Sequence, residues 1–509
     1  MQRDIEEVLI VGGGDVGLLT ALSLREIDTD LDITVVDDLD SPPPRVGKST
    51  FSAIMELLHD FLGIDETAFT HAVKPIWKGS VWFKNWGGGP DFHYPFAHGF
   101  PSFEEEDRHE TLHAIYQDPR LTTTIGEGIV EQGKTPWYYN PRGGGFQRYP
   151  RVAYHLPIDG FQTFLADRCE SKGIELVDDR VEGARTSGAR VDAVEGTNRS
   201  YEADLYIDAS GFGRAVRSEF SDFSFVEFDL PLDRAIRASF ERPLSEVTPA
   251  TVVEGHEQGW FWTIDTYDAR DRGFVYSSEF TTDEEAAAIY ADQPGIELDS
   301  ANLDYYTFDS GYLPEPWVGN HLTIGNAAGF VEPLQSTALT SNIQFSKFLA
   351  FLLNSTGFRN EPSVRETYNR FFGSVWNDIH SFVSIHYKFN ETDAPLWDRM
   401  RSLELPPLAA EFYEDYDTHG LPYYEQPQSG FKVDRDGRIY AGSPFNKEDF
   451  FHMFVSMGVE SGYHEKLDRE PAAAARKTRE QRRDSILEQV EAYHGHVEFF
   501  NLLEHDNGL

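Results

Sequence analysis

The chain has 509 residues, 40% of them hydrophobic and 14% aromatic, which is enough apolar material for one large domain or two to three joined modules and excludes a disordered polymer. Its net charge of −42 is dispersed along the sequence rather than gathered in a tail. That pattern describes a solvated surface suited to a salt-rich, halophilic cytosol, and it argues against nucleic acid as a partner.

No signal-peptide pattern opens the chain and no apolar run reaches about 18 residues, so a cytoplasmic protein without a membrane span is expected. Val8 to Val11 reads as an apolar strand that meets Gly12, Gly14 and Gly17 in the GxGxxG spacing, ahead of a helical stretch from Leu18 to Leu24. Gly12 suits a tight turn, Gly14 a close approach of backbone to a pyrophosphate, and Gly17 close helix–strand packing. The helix start adds free N–H donors. A second strand, DITVVDD, ends at Asp37, where a carboxylate accepts from ribose hydroxyls.

Next, WKGSVWFKNW sets Lys78 between Trp77 and Trp82 with few charges nearby, and PDFHYPFAHGF supplies His93 and Phe96. A lysine in apolar surroundings is a compact donor whose pKa falls readily. Cys169 is the single cysteine, which excludes an intramolecular disulfide. ADLYIDASGFG reads as a strand and a glycine turn. In GWFWTID, period-two spacing puts Trp260, Trp262 and Ile264 on one face of a strand and Phe261 and Thr263 on the other. HLTIGNAAGFVEPLQSTALTSN reads as strand, glycine-rich turn and helix start. From SKFLAFLLNS onward helical signals dominate, broken by LPYYEQPQSG at 421–430, and residues 470–500 suit a long amphipathic helix. The expected organisation is a module at 1–350, with insertions at about 85–150 and 220–320, and a mainly helical part at 351–509. Scattered histidines such as His93 and His98 lack a carboxylate partner, so no metal is expected.

These stretches resemble the flavin-dependent halogenases, most of all the tryptophan halogenase branch, from about residue 5 to 380. GWFWTID is similar to the family's WxWxIP box at Trp260, Trp262 and Ile264, with Asp265 where proline is usual. FVEPLQSTA resembles FxxPxxSxG through Phe330, Pro333 and Ser336, RVGKST resembles RVGES, and Lys78, Phe83 and Trp86 follow the spacing of the family's lysine motif. The resemblance implies an α/β fold: an FAD-binding, two-dinucleotide-binding-type (Rossmann-like) module with an additional mixed sheet and the helical C-terminal part. It implies FAD contacts at Gly47, Lys48, Ser49, Gly325, Asn326 and Leu334 as well as at the first glycine turn. No second GxGxxG stands ready for NAD(P)H, so a separate flavin reductase is the expected source of reduced FAD.

In such an enzyme chloride or bromide, held at Thr337 and Ala338, is oxidised to hypohalous acid, which passes to Lys78 and then to an aromatic substrate such as an indole. Trp260 and Trp262 would wall off the channel between flavin and substrate, and His93 and Phe96 would line the substrate side. The sequence departs from the family at Gln335 and Lys48, where glutamate is common, and at Ala338, where glycine is common and a positive φ would strain alanine. Glutamine cannot accept a proton as glutamate does. Two further readings stay open: a flavin monooxygenase or related oxidoreductase of the same fold, and an FAD-binding homologue that has lost halogenation. A homodimer is left open.

Overall fold

A computed structural model describes residues 3–38, 48–97, 99–101, 108–142, 145–220, 224–294, 303–420, 432–433, 439–440, 445–466 and 472–505. Gly47, His98 and the 421–430 run lie outside the described residues.

The continuous apolar run at Glu7–Val11 forms the centre of a six-stranded sheet in the order Glu175–Asp178, Asp32–Asp37, Glu7–Val11, Leu205–Asp208, His321–Thr323, Trp317–Val318. The first five strands are parallel and the last is antiparallel. Parallel strands need both faces covered. The helix Asp15–Ile27 packs against helices Thr337–Ser355 and Ile158–Ser171, with the Thr20 and Ser346 hydroxyls 2.8 Å apart in the first interface.

A second, seven-stranded sheet runs Asp304–Thr307, Arg234–Glu241, Ala269–Tyr276, Gly259–Asp265, Ala250–His256, Ser80–Lys84, Phe92–Pro95. It is antiparallel except between Ala250–His256 and Ser80–Lys84. A small sheet of Lys48–Ser49, Ala153–Leu156 and Ile76–Lys78 lies close to it, since the backbone of Gly79 bonds Pro249. The small sheet carries Lys78.

The strand Gly259–Asp265 is buried on both faces. Phe261 packs with Phe274, Tyr276 and Tyr290 on one side, while Trp260, Trp262 and Ile264 belong to the main core on the other. Gly273, paired with Trp262 across the ladder, makes room for its indole, because a Cβ there would lie 2.0 Å from the ring.

Helices Pro362–Lys388, Pro395–Ser402, Pro407–His419, Lys447–Ser456, Ala472–Glu491 and His496–His505 follow. The helix Thr337–Ser355 runs across residue 350. The expected single helix at 470–500 is instead two helices separated by a strand, Tyr493–Gly495, which pairs with Lys134–Asn140. Gly495, poor in helix propensity, sits at that break, and stacking of Tyr493 on Tyr138 at 4.8 Å favours the sheet pairing. Among the described residues no helix is long and apolar enough to cross a membrane, and no group of three or more His, Cys, Asp or Glu side chains is placed to hold a metal ion.

Candidate functional site

The first glycine turn needs glycine for steric reasons. Gly12 has φ +106° and a Cβ there would sit 2.6 Å from the Ala209 carbonyl oxygen, while one on Gly17 would sit 1.9 Å from the carbonyl oxygen of Gly12. Around Gly14 the space is open, its nearest neighbour being Gln162 Nε2 at 4.0 Å. The helix that begins at Asp15 has no side-chain cap, so its first N–H groups face that space unpaired by a capping oxygen. Asp37 closes the far side against Gly13; burial raises its pKa, against the pull of the Gly13 and Asp38 N–H groups. An open glycine turn, an uncapped helix and a carboxylate at the next strand end fit the pyrophosphate and ribose of a dinucleotide such as FAD. At the other expected contacts, Gly325 (φ +71°) donates its N–H to Asn342 Oδ1 at 2.9 Å, Asn326 is half-buried and Leu334 is buried.

Lys48, beside this turn, is not an unpaired charge. Its ammonium lies 3.1 Å from the buried carboxylate of Asp15 at the helix start. The pair offsets the negative charge that Asp15 would otherwise set at the start of this helix.

Lys78 ends its short strand wholly buried. Its Nζ donates to Ser49 Oγ at 3.0 Å, to the Thr50 carbonyl at 3.1 Å and to Ser336 Oγ at 3.3 Å, and it stands 5.4 Å from the centre of the Phe96 ring. Burial pushes its pKa down to about 7. Strand pairing explains the neighbourhood: Lys48–Ser49 and Ile76–Lys78 flank the same central strand, so Ser49 and Lys78 meet across it.

Ser336 belongs to a turn with unusual backbone. Gln335 and Ser336, both non-glycine, have φ of +65° and +56°, a conformation that costs about 1–3 kcal/mol per residue. The strain falls at 335 and 336, whereas Ala338 sits within the helix Thr337–Ser355, so alanine is accommodated there. That helix also lacks a side-chain cap, leaving the N–H groups of its first turn, Thr337 and Ala338 among them, available to an anion.

Gln335 is buried and its Nε2 lies 2.8 Å from His386 Nε2. His386 Nδ1 is 2.7 Å from the Phe382 carbonyl, which can only accept, so Nδ1 carries the proton and Nε2 is bare. Burial keeps this imidazole neutral, its pKa near 3. The Gln335 amide therefore donates to His386, and its Oε1 is left buried without a partner. Sequence patterns gave no hint of His386, which comes from the far end of the helix Pro362–Lys388.

The same helix end gathers the tryptophan motifs. Trp86 donates its indole N–H to the His386 carbonyl at 3.2 Å, and Phe83 lies 5.6 Å from the His386 ring. Trp260 donates to Tyr387 Oη at 3.1 Å, and Tyr387 donates to the buried Glu332 carboxyl, whose pKa burial raises to about 8. Trp260 and Trp262 lie edge to face at 6.3 Å. Asp265, in place of the usual proline, is a buried anchor: Arg270 lies at 2.7 Å, Arg242 at 3.5 Å, and the Thr248 N–H donates to it at 2.7 Å.

Phe96 and His93 part company. Phe96 faces Lys78 and Phe51, whereas His93 accepts or donates at Ser80 Oγ (2.9 Å) and stacks on Trp82. An aromatic group that sequence reading missed, Phe51, Phe382 and Phe445, closes in beside Phe96 and Tyr94. A cavity of about 710 Å³ between Leu244–Val247 and the helix His496–His505 shares no residue with this site.

Glycine turn, ribose-side carboxylate and doubly sheeted α/β framework define a flavoprotein-type dinucleotide fold. A family model for tryptophan halogenases matches residues 7–472, and the chain belongs to that family. It is 26% identical over 443 residues to the tryptophan 7-halogenase RebH of Lentzea aerocolonigenes, covering 80% of each chain. It is 28% identical over 459 residues to the 7-chloro-L-tryptophan 6-halogenase KtzR of Kutzneria sp. (strain 744), covering 82% of this chain and 88% of that one. In fold it is similar to BrvH, a flavin-dependent halogenase from Brevundimonas sp. BAL3, with a TM-score of 0.80 at 24% identity over 98% of this chain and 99% of that one.

Proposed function

We propose that the protein is an FAD-dependent halogenase that directs electrophilic chlorine or bromine from Lys78 to an aromatic substrate. The observation that carries the reading is the burial of Lys78 between Ser49, Thr50 and the strained turn at Ser336. Gly12, Gly14, Gly17 and Asp37 would hold FAD, with Ser49, Gly325, Asn326 and Leu334 nearby. Bound and reduced by a separate reductase, FAD would supply the oxygen chemistry that turns halide into hypohalous acid.

The chain's own residues account for the remainder. The first-turn N–H groups of Thr337 and Ala338 bind halide. Trp260, braced by Tyr387, and Trp262 keep bulky molecules from the flavin side. Lys78, neutral for part of the time near pH 7, receives the oxidant; Phe96, Phe51 and Phe445 offer an apolar wall to an aromatic ring. Gln335 presents a carbonyl acceptor in place of a carboxylate, so it orients a substrate N–H or O–H without taking its proton. The acidic surface suits a halophilic cytosol.

The test supplies reductase, NADH, FAD, oxygen and bromide with a panel of indoles and phenols. Brominated products are expected from the parent protein, and Lys78→Ala should lower them at least about 100-fold while hydrogen peroxide still forms. Oxygenated products indifferent to bromide would mean a monooxygenase, and bound FAD with neither product would mean a halogenase fold without the activity.

A further inference from the structure

The hydrogen bonds around Lys78 extend beyond its immediate partners. Ser49 Oγ is 2.7 Å from Thr251 Oγ1, Thr251 Oγ1 is 2.9 Å from His155 Nε2, and His155 Nδ1 is 2.9 Å from the carbonyl of Asp265. Lys78, Thr251 and His155 are buried, and Ser49 is half-buried. The direction of every bond follows from its far end. A carbonyl only accepts, so His155 Nδ1 carries a proton. Burial holds the ring neutral, its pKa near 3, so Nε2 is a bare acceptor. Thr251 must then spend its hydrogen on His155 and accept from Ser49, and Ser49 must spend its hydrogen on Thr251 and accept from Lys78.

A neutral amine has two hydrogens and one lone pair. Thr50 offers only a carbonyl and Ser49 only a lone pair, so both hydrogens are committed. Ser336 is the one partner whose hydroxyl is free to reverse and donate. We propose that Thr251 and His155 are positioning residues which, through Ser49, aim the lone pair of Lys78 at Ser336 and the 335–338 turn.

The inference rests on the proposed role of Lys78. When nitrogen takes halogen from hypohalous acid, its lone pair forms the N–X bond as the X–O bond breaks, and the departing hydroxide removes an N–H proton as water. Only a lone pair facing the halide turn meets the oxidant where it is made.

The test has two arms. Ring nitrogen NMR of the parent protein, labelled at histidine and assigned with His155→Gln, should show Nδ1 protonated and Nε2 bare at neutral pH. The opposite tautomer, or an imidazolium, overturns the proposal whether or not the protein halogenates. In the bromination assay, Thr251→Val, nearly isosteric but without the hydroxyl, should lose about tenfold or more in product per reduced FAD with FAD affinity and oxygen uptake unchanged, and Thr251→Ser should recover most of it. Undiminished product from Thr251→Val, or a loss that Thr251→Ser does not restore, overturns it. Should the parent make no brominated product, the halogenase reading fails while the tautomer measurement still decides the hydrogen-bond direction.

Discussion

Burial brings Lys78 close to half-titration at neutral pH, and the sign of the effect is testable. Its folded pKa of about 7 lies below the ordinary lysine value, so the unfolded chain binds more protons between about pH 7 and 10.5 and the folded protein gains stability from this group as pH rises through that window. In Lys78→Met that gain, read as the pH slope of chemical unfolding, should vanish. Product per reduced FAD should likewise climb through an apparent pKa near 7 as the amine is freed. Gln335 gives the opposite slope when changed. In Gln335→Glu a carboxylate would face the bare Nε2 of His386, and the two acceptors need a shared proton. That raised pKa stabilises at low pH and is lost as pH rises, so the melting temperature of the variant relative to the parent should fall as pH climbs above the ordinary glutamate range. Lys78, Phe83 and Trp86 were legible because their spacing is written in one stretch of chain. Thr251, His155 and His386 were not, since their roles come from strand register and a distant helix end rather than from local pattern.

At the level of elements, period-two alternation foretold the two faces of Gly259–Asp265, and the structure adds what each face meets. The space for Trp262 is made by Gly273 on the neighbouring strand. Gly273→Ala would overpack that site and should cost about 1–3 kcal/mol, seen as a lower unfolding midpoint in urea. The turn before Thr337 shows the limit of such reading. Gln and Ser are ordinary residues in a sequence, and nothing in their identity announces two consecutive left-handed conformations; surrounding contacts impose them. The helix start there was readable from the change in periodicity, whereas the break at Tyr493–Gly495 was hidden by the alanine-rich and charged run ahead of it.

Across the whole molecule, two features govern response to solution conditions. The charge of −42 repels itself, so molar potassium chloride should raise the unfolding temperature by screening it. Buried histidines set the acid limit. His155, His386 and His496 have pKa values lowered by burial to about 3, 3 and 4. Each takes up a proton on unfolding below about pH 6.5, so stability should fall as pH drops from 6.5 towards 4, by on the order of 1 kcal/mol per pH unit for each ring. Denaturant titrations at fixed salt across that range check the direction. The dinucleotide fold was plain from glycine spacing and strand–helix alternation, because those patterns are local and repeated. The additional mixed sheet was expected only through the family resemblance, and the aromatic lid of Phe382 and Phe445 was not expected at all, because they join segments hundreds of residues apart.

Trp77, next to Lys78 on its strand, rests edge-on against Phe499 at 5.0 Å and beside Phe500 at 6.0 Å. The last helix is thus a stopper pressed into the back of the reactive strand, with Tyr493–Gly495 as its hinge pin. Shortening the protein ahead of that pin would strip two of the rings from the indole beside the amine and leave the edge of Lys134–Asn140 unpaired, so damage at the tail would reach the strand that carries the chemistry.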